Sequence, residues 1–514
     1  MRILLMSMPN AIMAFIKGAR IPNLALSSLA GNLETGHKVA IADLVLCRGN
    51  LKKYLARLLK DFCPDVLGLT CFSFQYDTAI RIAKMAKELD PTVRIALGGY
   101  HPTLCYENIP EEESQYIDLI VRHEGEKTFR NLIRALEGKQ DLADIPGLSY
   151  KANGEFIHNP AAGNLNLEEI ALPDRTSRIL FGYHAWGRPC DVIETSRGCT
   201  FDCSFCTIIK MYGRTFRRYP IERIIQDIGD AQARGAKAIF MVDDNITLNM
   251  GHLEEVCDAI IASKLNHIHY IIQASVRGIS SSKKVVDKMG KAGFKTVFLG
   301  IENASDGNLE FFRKDNQVNL DRTERAVAYL RENRIIVLGA TIVGNPEDTE
   351  ESIWQNFHFL KKLKVDGPLF FNPTPLPMTE LREETLKMGL VVNRHDFSWY
   401  MGTKANSRSY HLSPEEINRI VLEMYKRYHN FFLLAKNNVR KHYPRYFYKR
   451  LLKEGAASAW NGLTLGLGFY DRDPLRIALK RDTRRREQWL LGNLNGNCSC
   501  FNCSFARGEA AVAV

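Results

Sequence analysis

Residues 194–208 read ETSRGCTFDCSFCTI and set Cys199, Cys203 and Cys206 in a C-x3-C-x2-C spacing. Three thiolates from one loop can hold three irons of a cubane cluster and leave the fourth iron open to a substrate. A structural zinc ion would instead want a fourth protein ligand nearby. What precedes and follows the loop separates these readings.

Working outward, the loop starts at the end of VIETS (192–196), the first of six apolar runs. The others are AKAIFMVDD (236–244), IHYIIQASV (268–276), FKTVFLGIE (294–302), IIVLGATIVG (335–344) and PLFFNPT (368–374), with helical patterns between them. Six βα units fall short of the eight that close a barrel, so a partial (β/α)6 barrel is expected over 190–400. Upstream, RILLMS, KVAIADL, DVLGLTCFS, VRIALGG and DLIVRHEGE alternate with helical segments such as AIRIAKMAKEL (79–89). That rhythm predicts a doubly wound, Rossmann-like domain over 1–150, with ligands at the carboxyl ends of its strands. A hairpin turning at Asn153-Gly154 and a polar stretch form a linker over 151–189. Ser413-Pro414-Glu415-Glu416 opens a helical extension over 401–514. The fold class is α/β throughout, with a helical tail.

Composition bounds the rest. The chain has 514 residues, a formal charge of +11 and 45% hydrophobic residues, too long for one core and too apolar for disorder. No stretch approaches the ~18 apolar residues of a membrane span. The opening MRILLMSMPN reads as a buried strand rather than a signal peptide, so a cytoplasmic location is expected. Of twelve cysteines, Cys47, Cys63, Cys71, Cys105, Cys190 and Cys257 are dispersed and read as buried small hydrophobes. The remainder form the loop above and a second group, Cys498, Cys500 and Cys503, which fits either a metal site or an idle tail. Between 426 and 486 there are 16 Lys/Arg against 4 Asp/Glu, so the positive excess belongs to this segment and the rest is close to neutral.

The cysteine loop after a first barrel strand resembles that of the radical S-adenosylmethionine superfamily. The resemblance implies a 4Fe–4S cluster on Cys199, Cys203 and Cys206. The open iron would be chelated by S-adenosylmethionine, whose reductive cleavage yields a 5'-deoxyadenosyl radical. It also implies roles for other residues. Phe205 would shield the cluster beside the adenine, and Asp243, Asp244 and Asn245 would meet the methionine amine. Ser275 and Arg277 would meet the carboxylate and Glu302 the ribose. Gly344, in IVGNPE (342–347), would pack on the adenine, with Ala340 standing where the family's first glycine is expected.

The preceding doubly wound domain resembles that of the cobalamin-binding branch, which includes the anaerobic magnesium-protoporphyrin ester cyclase and many C-methyltransferases. GGYHPT (98–103) and RHEGEKTFRNLI (122–133) carry this likeness, implying cobalamin near Gly98, Gly99, His101, Thr103, Glu124 and Gly125. The D-x-H-x-x-G signature that supplies an axial His is absent, so cobalamin without a protein ligand, or a purely structural domain, are both open.

The resemblance implies C-methylation of an unactivated carbon in a hydrophobic or lipid-like substrate. Radical oxidation or ring formation is the alternative within the class. A tRNA methylthiotransferase ranks lower, since Cys47, Cys63, Cys71 and Cys105 lack its spacing, and a cofactor sensor lower still. A reductant such as ferredoxin or flavodoxin is implied. The aromatic and basic residues of 425–486, with the apolar GLTLGLGFY (462–470), predict peripheral contact with anionic membrane rather than nucleic acid.

Overall fold

The computed structural model describes residues 1–9, 19–47, 50–428, 438–448 and 452. The second cysteine group, GLTLGLGFY, the loop directly after the first strand and most of the basic segment lie outside these residues.

In chain order the first strands are β1 (Arg2–Ser7), β2 (Ala19–Arg20), β3 (Lys38–Asp43), β4 (Val66–Thr70), β5 (Arg94–Gly98), β6 (Leu119–Val121), β7 (Leu148–Ala152) and β8 (Glu155–His158). All but β2 form a seven-stranded sheet in the order β3-β1-β4-β5-β6-β7-β8. The pairings from β3 to β6 are parallel, which explains why these strands read as unbroken apolar runs: helices cover both faces. β7 and β8 form the hairpin expected at Asn153-Gly154, where both residues have positive φ.

The second sheet contains β9 (His184–Ala185), β10 (Arg188–Ile193), β13 (Ala238–Met241), β14 (His269–Ser275), β15 (Phe294–Glu302), β16 (Ile336–Ile342) and β17 (Gly367–Phe371). β11 (Ser196–Arg197) and β12 (Arg217–Arg218) pair separately as a short ribbon. The six strands from β10 to β17 are parallel and lie in sequence order, forming an open, partial barrel. Along each strand, alternate residues join the large core under the outer helices. Tyr270, Ile272 and Ala274 do so on β14, and Val297, Leu299 and Ile301 on β15. The opposite set faces the lumen. β2 was not foreseen: it crosses from the first domain to extend the barrel sheet through β9.

The linker is a weld rather than a spacer. Ile41 of β3 exchanges backbone hydrogen bonds with Ser177 and Ile179. Arg178 binds Asp191 of β10 through both terminal nitrogens, at 2.8 and 3.1 Å, and donates to Ser27 at 3.1 Å. Arg175 adds a contact to Asp191 at 3.2 Å and one to Asp227 at 2.7 Å.

The helix Pro414–Tyr428 starts where Ser413 and Glu416 cap each other, and it buries Ile417, Ile420, Val421, Met424 and Tyr428 against the barrel. This changes the reading of the tail aromatics. Tyr425 hydrogen-bonds the Phe370 amide, Tyr428 donates to the Val365 carbonyl, and Tyr443 and Phe447 are buried. These four rings are packed against the protein, whereas Tyr448 is exposed. Among the described residues, no helix is long and apolar enough to cross a membrane.

Replacing Asp191 by Leu leaves the buried Arg178 without a carboxylate, while Arg175 keeps Asp227 and Asp230. The expected cost is about 3–5 kcal/mol, the usual penalty for breaking a buried ion pair, read as a lower urea midpoint of the apoprotein.

Candidate active site

The cysteine loop leaves β10 and is held by carboxylates from the next strand's end. Asp243, 1% exposed, accepts from the Thr195 amide at 3.1 Å, the Thr195 hydroxyl at 2.6 Å and the Ser196 hydroxyl at 2.6 Å. Asp244 accepts from the Gly198 amide at 2.8 Å. Gly198 has φ +88, and a Cβ there would lie 2.4 Å from the Thr215 carbonyl oxygen, so only glycine fits between the cysteines and the β12 side of the ribbon. The two aspartates expected at the methionine amine thus also fix the loop's backbone.

Cys199, Cys203 and Cys206 share one electrostatic neighbourhood. Burial pushes the Cys206 thiol up to about 12, and its two partners push the same way. Such thiols ionise when a Lewis-acidic metal replaces the proton. Among the described residues, no group of three or more His, Cys, Asp or Glu closes around a single metal ion. The donor set is three soft sulfurs on one loop, which suits a multi-iron cluster rather than zinc.

Around the loop, Phe205 packs edge-on to Phe312 at 5.3 Å, in an apolar group with Ile342 and Leu381. The residue before the third cysteine therefore meets the end of β16. Glu302 has φ +64, and its carboxylate lies over Gly300 and 3.0 Å from the Lys314 ammonium. Arg277 is exposed, with its guanidinium 6.0 Å from the Phe201 ring centre. The other expected residues have structural partners. Ser275 caps the helix Val276–Ser281 by accepting from the Gly278 amide at 3.2 Å, and Asn245 accepts from Thr247 at 2.7 Å. The Gly344 amide donates to Asp348 at 2.8 Å, and the residue packs against Ile417.

In the first domain, a cavity of about 100 Å³ opens on the face of the sheet covered by the helix Leu24–Gly31. Gly98, Gly99 and Gly125 line it, with Leu26, Leu29 and Thr70. A Cβ on Gly125 would lie 3.1 Å from Leu29, and one on Gly68 would lie 2.7 Å from Leu5. The missing side chains keep the slot open. Three residues expected beside a corrin do not line this cavity. His101, 3% exposed, is packed between Tyr76 and Phe397 at ring distances of 4.2 and 4.8 Å. The Thr103 hydroxyl accepts from the His123 amide. Glu124 is consumed by an ion-pair group that joins the domains.

That group centres on Arg197, two residues before Cys199. Its guanidinium donates to Glu194 at 2.8 Å, Glu124 at 2.8 Å and Glu126 at 2.6 Å. Arg217 adds a 2.9 Å contact to Glu124, and Ser28 donates to Glu126 at 2.8 Å. The sequence reading missed Arg197, Glu126, Lys314 and Gly68. Arg197 stood inside the quoted loop, but nothing local marks a partner more than 70 residues away.

Comparison with known proteins agrees with this arrangement. Residues 193–360 match the model of the radical SAM superfamily, and residues 16–133 match that of the B12 binding domain. An uncharacterized methyltransferase of Pyrococcus horikoshii is 32% identical over 441 residues, covering 85% of this chain and 93% of that protein. The chain belongs to the cobalamin-binding radical S-adenosylmethionine family. The anaerobic magnesium-protoporphyrin IX monomethyl ester cyclase of Synechocystis is 27% identical, over 79% of this chain and 78% of its own length. The hopanoid C-3 methylase of Methylococcus capsulatus is 28% identical, over 72% of this chain and 70% of its own length. In fold, the chain resembles the cobalamin-dependent radical enzyme OxsB at a TM-score of 0.67 and 18% identity, covering 95% of this chain and 75% of that one.

Membership brings a 4Fe–4S cluster, S-adenosylmethionine and cobalamin as working cofactors. The residues present fit both metal groups: three thiols on one loop, Cys203 buried and its two partners half-buried, for the cluster, and a glycine-walled, mostly apolar slot for part of a corrinoid. The cluster supplies an electron to S-adenosylmethionine, while Asp243 and Asp244 hold the loop that orients it.

Burial lowers the His101 pKa to about 4 from an ordinary 6.5. The unfolded chain then binds more protons than the folded one between these values, so stability falls as pH drops from about 6.5 toward 4. His101→Phe, which keeps the ring stack, should flatten the dependence of the urea midpoint on pH across that window.

Proposed function

We propose that this enzyme methylates an unactivated carbon of a hydrophobic substrate, using S-adenosylmethionine both as radical source and as methyl source. The observation that carries the reading is the character of the barrel lumen. By strand alternation, Phe240, Phe298, Leu338, Leu369 and Phe371 point inward from β13, β15, β16 and β17, and each is only half-buried. Phe240 and Phe298 sit 5.9 Å apart at the closed end. Gln273, exposed in the middle of β14 and in register with Phe298, is a polar group among them, and its amide nitrogen lies 3.4 Å from the Asp243 carbonyl oxygen.

A largely apolar lumen with few polar groups suits a substrate held by burial and oriented by hydrogen bonds such as one to Gln273. A substrate filling such a lumen also keeps stray hydrogen donors away from a radical intermediate. The cysteine loop stands at the carboxyl ends of the same strands, the end at which such barrels carry their chemistry. The methyltransferase and hopanoid methylase relatives support methyl transfer. The similarity to the cyclase supports a second reading, oxidation or ring formation on an equally hydrophobic substrate. Electrons would come from a low-potential partner of the ferredoxin or flavodoxin type.

The deciding experiment incubates anaerobically reconstituted enzyme with methyl-labelled S-adenosylmethionine, reductant and a lipid extract. Label is expected in an apolar product, together with 5'-deoxyadenosine. Deoxyadenosine without label in any product would contradict methyl transfer and favour the cyclase type. Gln273→Leu should raise KM about ten-fold or more, the loss expected for one buried hydrogen bond worth ~1–2 kcal/mol.

A further inference from the structure

A buried ammonium stands beside the cysteine loop, and neither the cysteine spacing nor the barrel pattern calls for it. Lys314 is 8% exposed, in the turn that follows the helix Asp306–Phe311. That turn is fixed by backbone bonds from the Arg313 amide to Glu310 and from the Lys314 amide to Leu309, at 2.8 and 2.7 Å. The ammonium pairs with Glu302 at 3.0 Å and lies 5.7 Å from the ring centres of both Phe201 and Phe205, the two aromatics flanking Cys203. Its charge therefore stands beside the segment that carries Cys203.

A single Glu302 carboxylate would already neutralise Lys314, and burying the pair has a desolvation cost that an apolar pair would avoid. The placement gains meaning once the loop is charged. Three thiolates on a cubane core make a net anion, and one-electron reduction adds a further negative charge. The potential of such a cluster responds to nearby charge, to hydrogen bonds at its sulfurs and to solvent exposure. Lys314 supplies the first, while Phe201 and Phe205 limit the third. In a low-dielectric site a fixed positive charge favours the more negative state.

We propose that Lys314 raises the reduction potential of the cluster, with Glu302 holding the ammonium beside the cysteine loop and partly offsetting its charge. The step is the gain of one electron by the cluster from an external low-potential donor, with no proton taken up and no bond made or broken. Lys314 acts through the cluster and is a positioning residue, not a catalytic one. The inference rests on the family's 4Fe–4S cluster and not on the identity of the substrate.

The test is a potentiometric titration of the full-length, anaerobically reconstituted protein with dithionite, the reduced cluster being followed by electron paramagnetic resonance. Lys314→Met should shift the reduction equilibrium about ten-fold toward the oxidised form, equivalent to ~59 mV for one electron. Lys314→Arg should stay within about three-fold of wild type. Glu302→Gln should shift it the opposite way from Lys314→Met, and it reads the same electrostatics should Lys314→Met fail to load iron. Opposite shifts support the proposal. Wild-type potentials in the variants that load iron, or shifts of the same sign, overturn it. A wild-type protein without any cluster signal would instead count against the radical reading itself, so the two failures are distinguishable.

Discussion

The structure turns on one guanidinium. Arg197 lies in the cysteine loop, 7% exposed, and is shared by Glu194 of its own loop and by Glu124 and Glu126 of the first domain. Three carboxylates face two guanidiniums, Arg197 and Arg217, which leaves one negative charge in excess in a buried place. The pKa shifts show where it goes. Burial pushes Glu194 up to about 7 against the pull of Arg197, whereas at Glu126 the opposing burial is outweighed by Arg197 and its pKa is lowered. A proton shared with Glu194 brings the group close to neutrality. A planar fork presents donors on three separate nitrogens and so reaches three carboxylates in different directions, a spread that the compact ammonium of a lysine does not match. The loop that presents the cysteines is therefore registered directly on the turn that opens the helix Gly125–Leu136, whose first residue lines the glycine-walled cavity. Distance and orientation between the two cofactor sites are set by this joint, with the Arg178 to Asp191 weld as a second tether.

Much of this architecture was legible in the chain. The cysteine spacing, the six apolar runs and the doubly wound rhythm each correspond to a periodic or local signal, and the strands lie where those signals put them. Long-range pairing was not legible. Glu124 reads as a polar group in a glycine turn, and only the fold reveals that its partner is Arg197. Asp243 and Asp244 read as ligand contacts because they end a strand, yet their oxygens meet the loop's hydroxyls and amides. His101 reads as a cofactor contact because it follows a glycine pair, but its ring fills a gap between Tyr76 and Phe397. In each case a residue at a strand end has a structural partner that spacing alone does not encode.

The basic tail gives the same lesson with the opposite sign. Interleaved Lys/Arg and Tyr/Phe is a pattern shared by membrane-facing helices and by helices that lay aromatics on a domain while their charges face water. Tyr425, Tyr428, Tyr443 and Phe447 follow the second course, closing the outside and the far end of the barrel. On the proposed reading the apolar lumen would hold the substrate. The cysteine loop stands at the carboxyl ends of its strands and is joined to the first domain through Arg197.

The most direct measurement of this account is the magnetic interaction between cobalt and cluster in one protein molecule, poised so that both are paramagnetic. The account predicts enhanced relaxation of the cluster signal by cobalt in the wild type, and its loss in Arg197→Lys with both cofactors still bound. An interaction of unchanged strength in Arg197→Lys would contradict the claim that this residue sets the two sites against each other.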